Sequence, residues 1–466
     1  MEQSPQPEGV NHRNGVHVLV VPYPVQGHVA PLVKLAGCFA RHGITATLVV
    51  TGDVRARIVD RTAGDAAEGQ CRLKFAVFPD GQELQGGSLD ERRVGASVSK
   101  DTSVHVKSLI RKANELGGEC RITCLVADAV FEWAPEIAGQ TGVELALFWP
   151  SSPAALAVTL QIRHLIQAGL VDSEGTPVRA DKIQPFTGMP TMSTNEFPWC
   201  SPTDHAFQKI VFEYFCVVER IARIPKWLLC NCFHDLNASA YDVIPNLVQV
   251  GPLLANGQSV GTMKSEDSTC LSWLDQQPAR SVVYVAFGSM LKISQHQLSE
   301  LALGLELAGH QFLLVVRSGL TNDPCADFPD GFTDRVASRG KIVEWAAQER
   351  VLAHPSVACF LTHCGWNSTI EGISMGVPFL CWPCFADQLY NRTCICDAWK
   401  VGLSLDMDDS CEIISRHEIK AKIDELLSRA DIRENSIVLK EIARRCIMKG
   451  GSSFKSVENF IAQIKG

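Results

Sequence analysis

No run of eighteen or more apolar residues, the length a bilayer-spanning helix requires, occurs in this chain of 466 residues. The opening MEQSPQPEGVNHRNG is polar and lacks the apolar stretch of a secretory signal. Neither a membrane span nor export is therefore expected, and the chain is assigned to the cytoplasm. An excess of positive charge is missing too: 43 Lys and Arg stand against 51 Asp and Glu, a net charge of -8. That excludes the broad basic face on which nucleic acid or an anionic membrane is held. No nucleic-acid partner is expected, and an anionic ligand must be met by a local site. A nicotinamide turn is also absent, because neither of the strands that open the two halves of the chain leads into G-x-G-x-x-G.

Cysteine, in contrast, is plentiful at 18 residues. In a large cytosolic chain these read as reduced, mostly buried small hydrophobes, not as a disulfide framework. Cys381 and Cys384 form a C-x-x-C with Cys394 and Cys396 soon after, a spacing at which four thiols can bind zinc. The first pair encloses Trp382 and Pro383 in an apolar segment and the second pair is C-x-C, so free thiols are expected and a metal is not.

The composition, 46% hydrophobic and 20% charged, is that of a folded protein, and the length exceeds what one core organises. VHVLVVPY (16–23) fits a strand buried on both faces, followed by a turn at Pro24 to Gly27 and a helical pattern from Val29 to His42. Gly43 stops the helix and ITATLVVT supplies the next strand. The order repeats when CRITCLVAD (120–128) leads through a helical EWAPEIAGQTG to VELALFWP. At residue 251 the chain turns Gly- and Ser-rich, in the manner of a linker. The same grammar then restarts with SVVYVAFGS (281–289), an amphipathic helix and QFLLVVR. The expected fold is α/β: two Rossmann-like, doubly wound domains facing across a cleft. They span residues 1–251 and 269–448, joined by a linker at 252–268, and a helix at 449–466 is free to pack back on the N-terminal domain.

The run from Trp345 to Gln388 is the densest in chemistry. Within it ACFLTH is a buried strand, CGWN a turn, and STIEGISM a helix ended by Gly376. Ligands of open parallel sheets bind beyond the carboxyl ends of strands, and a helix N-terminus offers N–H groups to an anion. His363, Asn367 and Ser368 stand at such a junction. The same residues also fit a capping box, with Ser368 as the cap and Glu371 reaching back to it.

Over its 44 residues the run resembles the signature box of the plant family 1 UDP-sugar glycosyltransferases, in its W-x-x-Q opening, HCGWNS core, downstream Glu and final DQ. The N-terminal YPVQGH, the VAD strand end, the FGS turn and the restart of the fold fall where that family has them. The wording around GLELAG and FLCWPCFADQ is most similar to the group numbered 83. This resemblance implies a GT-B fold, with residues 1–251 binding the acceptor and 269–448 the UDP-sugar. It further implies that Trp345 stacks on uracil, that the Ala346 backbone reads the uracil edge, and that Gln348 lies near the nucleoside. Glu371 would accept from the ribose hydroxyls, a task suited to a carboxylate. His363, Asn367, Ser368 and Ser289, with Gly365 in the same turn, would hold the diphosphate, and Trp366, Asp387 and Gln388 the sugar. Gln388 points to glucose. One departure is that Ala347 stands where the family has proline, at a cost of at most about 1 kcal/mol of preorganisation.

Two residues outside the run share an address at the carboxyl edge of the N-terminal sheet: His28, closing PVQGH, and Asp128, closing CLVAD. Asp128 also fits an N-cap for the helix that follows. The resemblance implies that Asp128 orients His28, which deprotonates an acceptor hydroxyl that attacks the anomeric carbon opposite UDP. The expectation is inverting, metal-independent transfer of glucose from UDP-glucose, a co-substrate, to a hydroxyl or carboxyl of a small apolar plant metabolite such as a flavonoid, phenolic or terpenoid. No cofactor is expected, and the protein is expected to act as a monomer. The acceptor pocket is placed on residues 79–87, the segment after Phe131, and residues 148–154 and 191–199. A D-x-D at Asp406-Met407-Asp408 could serve a metal-dependent transferase, but its setting reads as a solvated turn.

Overall fold

The Val-rich segment at the N-terminus is β1 (His17–Val21), buried along its whole length. After its first residue, His17, whose ring nitrogens bond to the Cys120 carbonyl and to Thr47 Oγ1, the strand is apolar at every position because helices cover both faces of its sheet. The computed structural model describes residues 15–52, 54–56, 72–78, 91–255, 266–267, 269–321, 327–407 and 413–465, with backbone alone for 91–100. β1 lies inside a seven-stranded sheet. Its order is β3 (Leu73–Val77), β2 (Thr45–Val50), β1, β4 (Cys124–Asp128), β5 (Glu144–Trp149), β8 (Trp227–Cys230) and β9 (Leu247–Gln249). Every pairing in it is parallel. The short β6 (Lys182–Ile183) and β7 (Met192–Ser193) form a separate antiparallel hairpin.

The second half repeats the plan in six parallel strands: β12 (Gly340–Val343), β11 (Gln311–Val315), β10 (Val282–Ala286), β13 (Val357–Thr362), β14 (Phe379–Cys381) and β15 (Gly402–Ser404). In each sheet the winding reverses once, between β1 and β4 and between β10 and β13. A crevice opens at such a reversal because the connections on its two sides leave in opposite directions. Register aligns the strand ends there, with Val21 opposite Ala127 in one sheet and Ala286 opposite Thr362 in the other.

Alternation along a strand divides the core. Val18 and Val20 of β1 join Leu32 and Phe39 of the helix Gln26–Arg41 in one cluster, and Val283 and Val285 of β10 join a cluster of the second half. Leu19 and Val21 belong with Val282 and Tyr284 to a single cluster that runs through both halves. The two sheets thus share apolar packing on their facing sides. No described helix is long and apolar enough to cross a membrane.

The last helix, Ser452–Ile464, leaves the second half and packs on the first. Phe460 lies 5.7 Å from the ring of Phe39 and meets Trp227 edge to face at 5.2 Å, and the Trp227 indole N–H donates to Gln463 at 3.0 Å. Phe460 is 1% exposed, so truncation leaves a cavity that neighbours on three elements can only partly fill. Phe460→Ala should lower unfolding free energy by about 3–5 kcal/mol, measured by denaturant titration. A change below 1 kcal/mol would show that the helix is not an integral part of the N-terminal core.

Candidate active site

Both reversal points open onto one cavity of about 380 Å³ between the halves. On the N-terminal wall, His28 lies in the first turn of the helix Gln26–Arg41, which starts earlier than the sequence pattern suggested. Asp128 is the last residue of β4, and the pairing of β1 with β4 brings the two together. His28 Nδ1 is 2.7 Å from Asp128 Oδ2; the Asp128 side chain is fully buried and that of His28 is 24% exposed and lines the cavity. The other carboxylate oxygen of Asp128 accepts from the Val130 N–H at 3.2 Å. The next helix begins only at Ala134, with Trp133 as its cap. Asp128 is therefore not an N-cap, and the chain tightens around its side chain before any helix can start.

The opposite wall is the signature run. Trp345, Ala346, Gln348, His363, Gly365, Trp366, Asn367, Ser368, Glu371, Asp387 and Gln388 all line the cavity, as does Ser289 beyond β10. The capping-box reading of Ser368 and Glu371 fails. The helix starts at Trp366, with Gly365 as an N-cap that supplies no side-chain bond, so Ser368 already sits inside its first turn. Ser368 Oγ and Glu371 Oε2 instead accept from the Gln348 amide at 2.9 and 2.8 Å. The helix N-terminus is thereby left facing the cavity without a side-chain cap, which is the state in which it can meet an anion.

Close approach fixes two glycines here. A Cβ on Gly288, at φ +66, would fall 2.6 Å from His363 Nε2, and one on Gly365 would fall 2.5 Å from it. Burial, reinforced by the charge of Arg317, lowers the pKa of His363 to about 4, so its imidazole is neutral at pH 7. Two non-glycine residues beside the site hold positive φ, Cys364 at 63° and Ala386 at 54°. Strain of this kind persists where surrounding structure over-determines the backbone. Cys364 is locked by its N–H to Thr362 Oγ1 at 3.3 Å and Ala386 by its N–H to the Cys200 carbonyl at 2.7 Å. Ala347, where the related family has proline, sits at φ -70°. That is within the range a proline ring imposes, so the substitution leaves the turn unchanged.

Polar bonds cross the cleft at the site itself. Pro31 lies inside the first helix and has no N–H, so the carbonyl four residues earlier, that of Gly27, lacks its helical donor. Asn367 Nδ2 takes that place at 2.7 Å. The Trp366 indole donates to the Asn231 carbonyl at 2.9 Å, and Ser151 Oγ donates to Asp387 Oδ2. Burial pushes the Asp387 carboxyl up, against the bonds from Ser151 and Asn391. Gln388 Oε1 accepts from the Cys384 N–H at 3.1 Å.

Lys34, which sequence reasoning did not single out, binds both Glu349 and Glu371, the latter at 2.9 Å, with its side chain 8% exposed. Burial opposes its charge, yet Glu371 and Glu349 together hold its pKa above the ordinary lysine value. At Glu349 burial outweighs the lysine and raises the carboxyl. Also unforeseen is an apolar wall from the helix His205–Ile221, where Phe207, Ile210, Val211, Tyr214 and Phe215 line the cavity beside Tyr23. Trp149, Pro150 and Ser151 line it as the sequence suggested. Phe197 and Trp199 do not: they stack at 4.9 Å in the core beneath that helix, both fully buried. Residues 79–87 lie outside the described residues, as does Asp408; Asp406 is exposed near Lys422. Cys381 and Cys396 approach to 3.8 Å, and no group of three or more His, Cys, Asp or Glu among the described residues could hold a metal ion.

The profile of the family described as UDP-glucoronosyl and UDP-glucosyl transferase matches residues 189–449. The chain is 38% identical to UDP-glycosyltransferase 83A1 of Arabidopsis thaliana, covering 96% of this chain and 97% of that protein. Among solved structures it is similar to a UDP-glucosyltransferase from Polygonum tinctorium capable of glucosylating indoxyl, with a TM-score of 0.82, 27% identity, and coverage of 97% and 98% of the two chains. It is also similar to Phytolacca americana UGT2 complexed with UDP-2fluoro-glucose and pterostilbene, with a TM-score of 0.79, 26% identity, and coverage of 97% and 100%.

The lysine between two carboxylates generates a test with a defined pH direction. Lys34→Met leaves Glu349 and Glu371 buried without their cation and should cost about 3–5 kcal/mol at pH 7. Protonated carboxyls do not need the lysine, so the gap to the natural protein should narrow as pH falls through the carboxylate range toward 4. Unfolding curves at several pH values measure this, and a pH-independent gap would contradict the assigned pairing.

Proposed function

The chain belongs to the plant family 1 UDP-glycosyltransferases, in an 83-like subgroup with the GT-B fold, and from this we propose that it transfers glucose from UDP-glucose to a hydroxyl of a small, apolar acceptor with inversion at the anomeric carbon. The observation that carries the reading is that His28, held by Asp128, and the polar residues of the signature run face each other across one cavity.

In this reading uracil stacks on Trp345 and is read by the Ala346 backbone, with Gln348 beside the nucleoside. Glu371 accepts from the ribose hydroxyls; its two oxygens already meet Lys34 and Gln348, and a carboxylate has lone pairs enough for more. The diphosphate lies over Gly365, at the start of the helix Trp366–Met375, among Ser289, His363, Asn367 and Ser368. The sugar lies toward Trp366, Asp387 and Gln388. Asp128 fixes His28 through Nδ1, and His28 Nε2 takes the proton from the acceptor hydroxyl. The acceptor oxygen bonds to the anomeric carbon from the face opposite UDP, the carbon–oxygen bond to the diphosphate breaks, and UDP leaves with the electron pair. The α-linked donor becomes a β-glucoside in one displacement, without a nucleophile or a metal from the protein.

What supports this acceptor class is the wall of Tyr23, Val130, Trp149, Phe207, Tyr214 and Phe215, which suits a flat aromatic or terpenoid skeleton. The relatives that carry pterostilbene or act on indoxyl support it. All the described cysteines are free thiols, in keeping with action in the reducing cytoplasm.

Incubation with UDP-glucose and a mixed panel of phenols and terpenoid alcohols should give products heavier by one hexose, β-linked by proton coupling and formed equally in EDTA. His28→Ala should keep UDP affinity while lowering turnover by roughly two to four orders of magnitude. Retention of most activity by that variant would refute the base assignment.

A further inference from the structure

Arg317 follows the end of β11 and is 7% exposed. Among the described residues it makes no ion pair, and its bonds go to backbone carbonyls. Nε donates to Gly288 at 3.1 Å, Nη1 to Ser318 and Gly319 at 3.3 and 2.9 Å, and Nη2 to Leu291. A guanidinium stays charged in a protein, and burying one without an anion is costly. The loop it grips at both ends, Gly288 to Leu291, presents Gly288, Ser289 and Met290 to the cavity. On the cavity side the ring of His363 closes against Gly288.

The cavity's own charges make this cation informative. Its described lining holds four carboxylates, on Glu266, Glu349, Glu371 and Asp387, against the cations Lys34 and Arg350. Lys34 is committed to Glu349 and Glu371. Burial and the field of Arg317 keep His363 neutral, so that ring brings hydrogen bonding and no charge. A nucleoside diphosphate entering this lining brings further negative charge, and Arg317 stands directly behind the Gly288–Leu291 loop that faces it.

We propose that Arg317 is the fixed counter-charge of the donor's diphosphate: a positioning residue that holds the Gly288–Leu291 loop and, through it, lends positive potential to the phosphates and to departing UDP. It rests on the site taking a UDP-sugar, and it separates from that reading by experiment.

Calorimetric titration of the full chain with uridine, UMP and UDP is the test, on the natural protein and on Arg317→Lys and Arg317→Gln. Loss of a charge at this depth should weaken UDP by about tenfold to a hundredfold in Arg317→Gln, UMP by less, and uridine by under about threefold. Arg317→Lys, which keeps the charge and loses the fork, should recover most of the UDP affinity. Equal weakening of all three ligands, or equal weakness of the two variants, would show a purely loop-shaping role and overturn the proposal. Failure of the natural protein to bind uridine or UDP would instead count against the UDP-sugar reading. If the variants do not fold, inorganic pyrophosphate alone decides on the natural protein. Competition with UDP at millimolar concentration supports a charged diphosphate cradle, and none at about 50 mM overturns it.

Discussion

A hydrogen bond that a helix cannot make for itself joins the two halves of this site. Because Pro31 has no N–H, the Gly27 carbonyl is open one residue before His28, and Asn367 of the signature helix donates to it at 2.7 Å. The residue next to the proposed base and a residue of the proposed diphosphate cradle are thereby fixed to each other directly. Chemistry between a group on one sheet and a substrate on the other tolerates little error in position. Around this bond the indole of Trp366, the hydroxyl of Ser151 and the ammonium of Lys34 repeat the pattern: each lines the cavity and reaches from one half to a group in the other.

Charge is the second constraint. A cavity that must admit a diphosphate carries four carboxylates among its described lining residues, and they are not all held in the same way. Glu371 and Glu349 share one lysine, whereas Asp387 is held by a serine and an asparagine amide while burial raises its carboxyl. Glu371 remains an acceptor for hydroxyl donors because the lysine neutralises it without capping every lone pair. Arg317, which makes no ion pair among the described residues, is set behind a loop, with its bonds going to backbone carbonyls.

Much of this was legible in the sequence, and the reasons for the rest are physical. Almost continuously apolar runs such as VLVV and VVYVA mark strands covered on both faces, and the turns that follow them mark where ligands bind, so His28, Asp128, Ser289 and the signature run could be located before the fold was known. The capping box was misread because S-x-x-E states only a spacing, while the true helix start depends on Gly365 and on the close fit of His363 against it. Phe197 and Trp199 looked like pocket residues because aromatic content does not say which way a side chain faces. The wall that does face the cavity, on His205–Ile221, carries no catalytic group and reads as an ordinary amphipathic helix. Lys34 was invisible for a different reason: Glu371 lies 337 residues away along the chain, and a lysine on such a helix is normally a solvated stem.

The final helix gives the architecture a further property. The chain passes from the first half to the second after residue 251 and returns between Ile447 and Ser452, where Phe460 and its neighbours plug into the first sheet. Two bodies connected once can swing in any direction, but two bodies connected at separate places retain mainly rotation about the line joining those places. The return of the chain therefore restricts how far the wall bearing His28 can shift against the wall bearing Asn367.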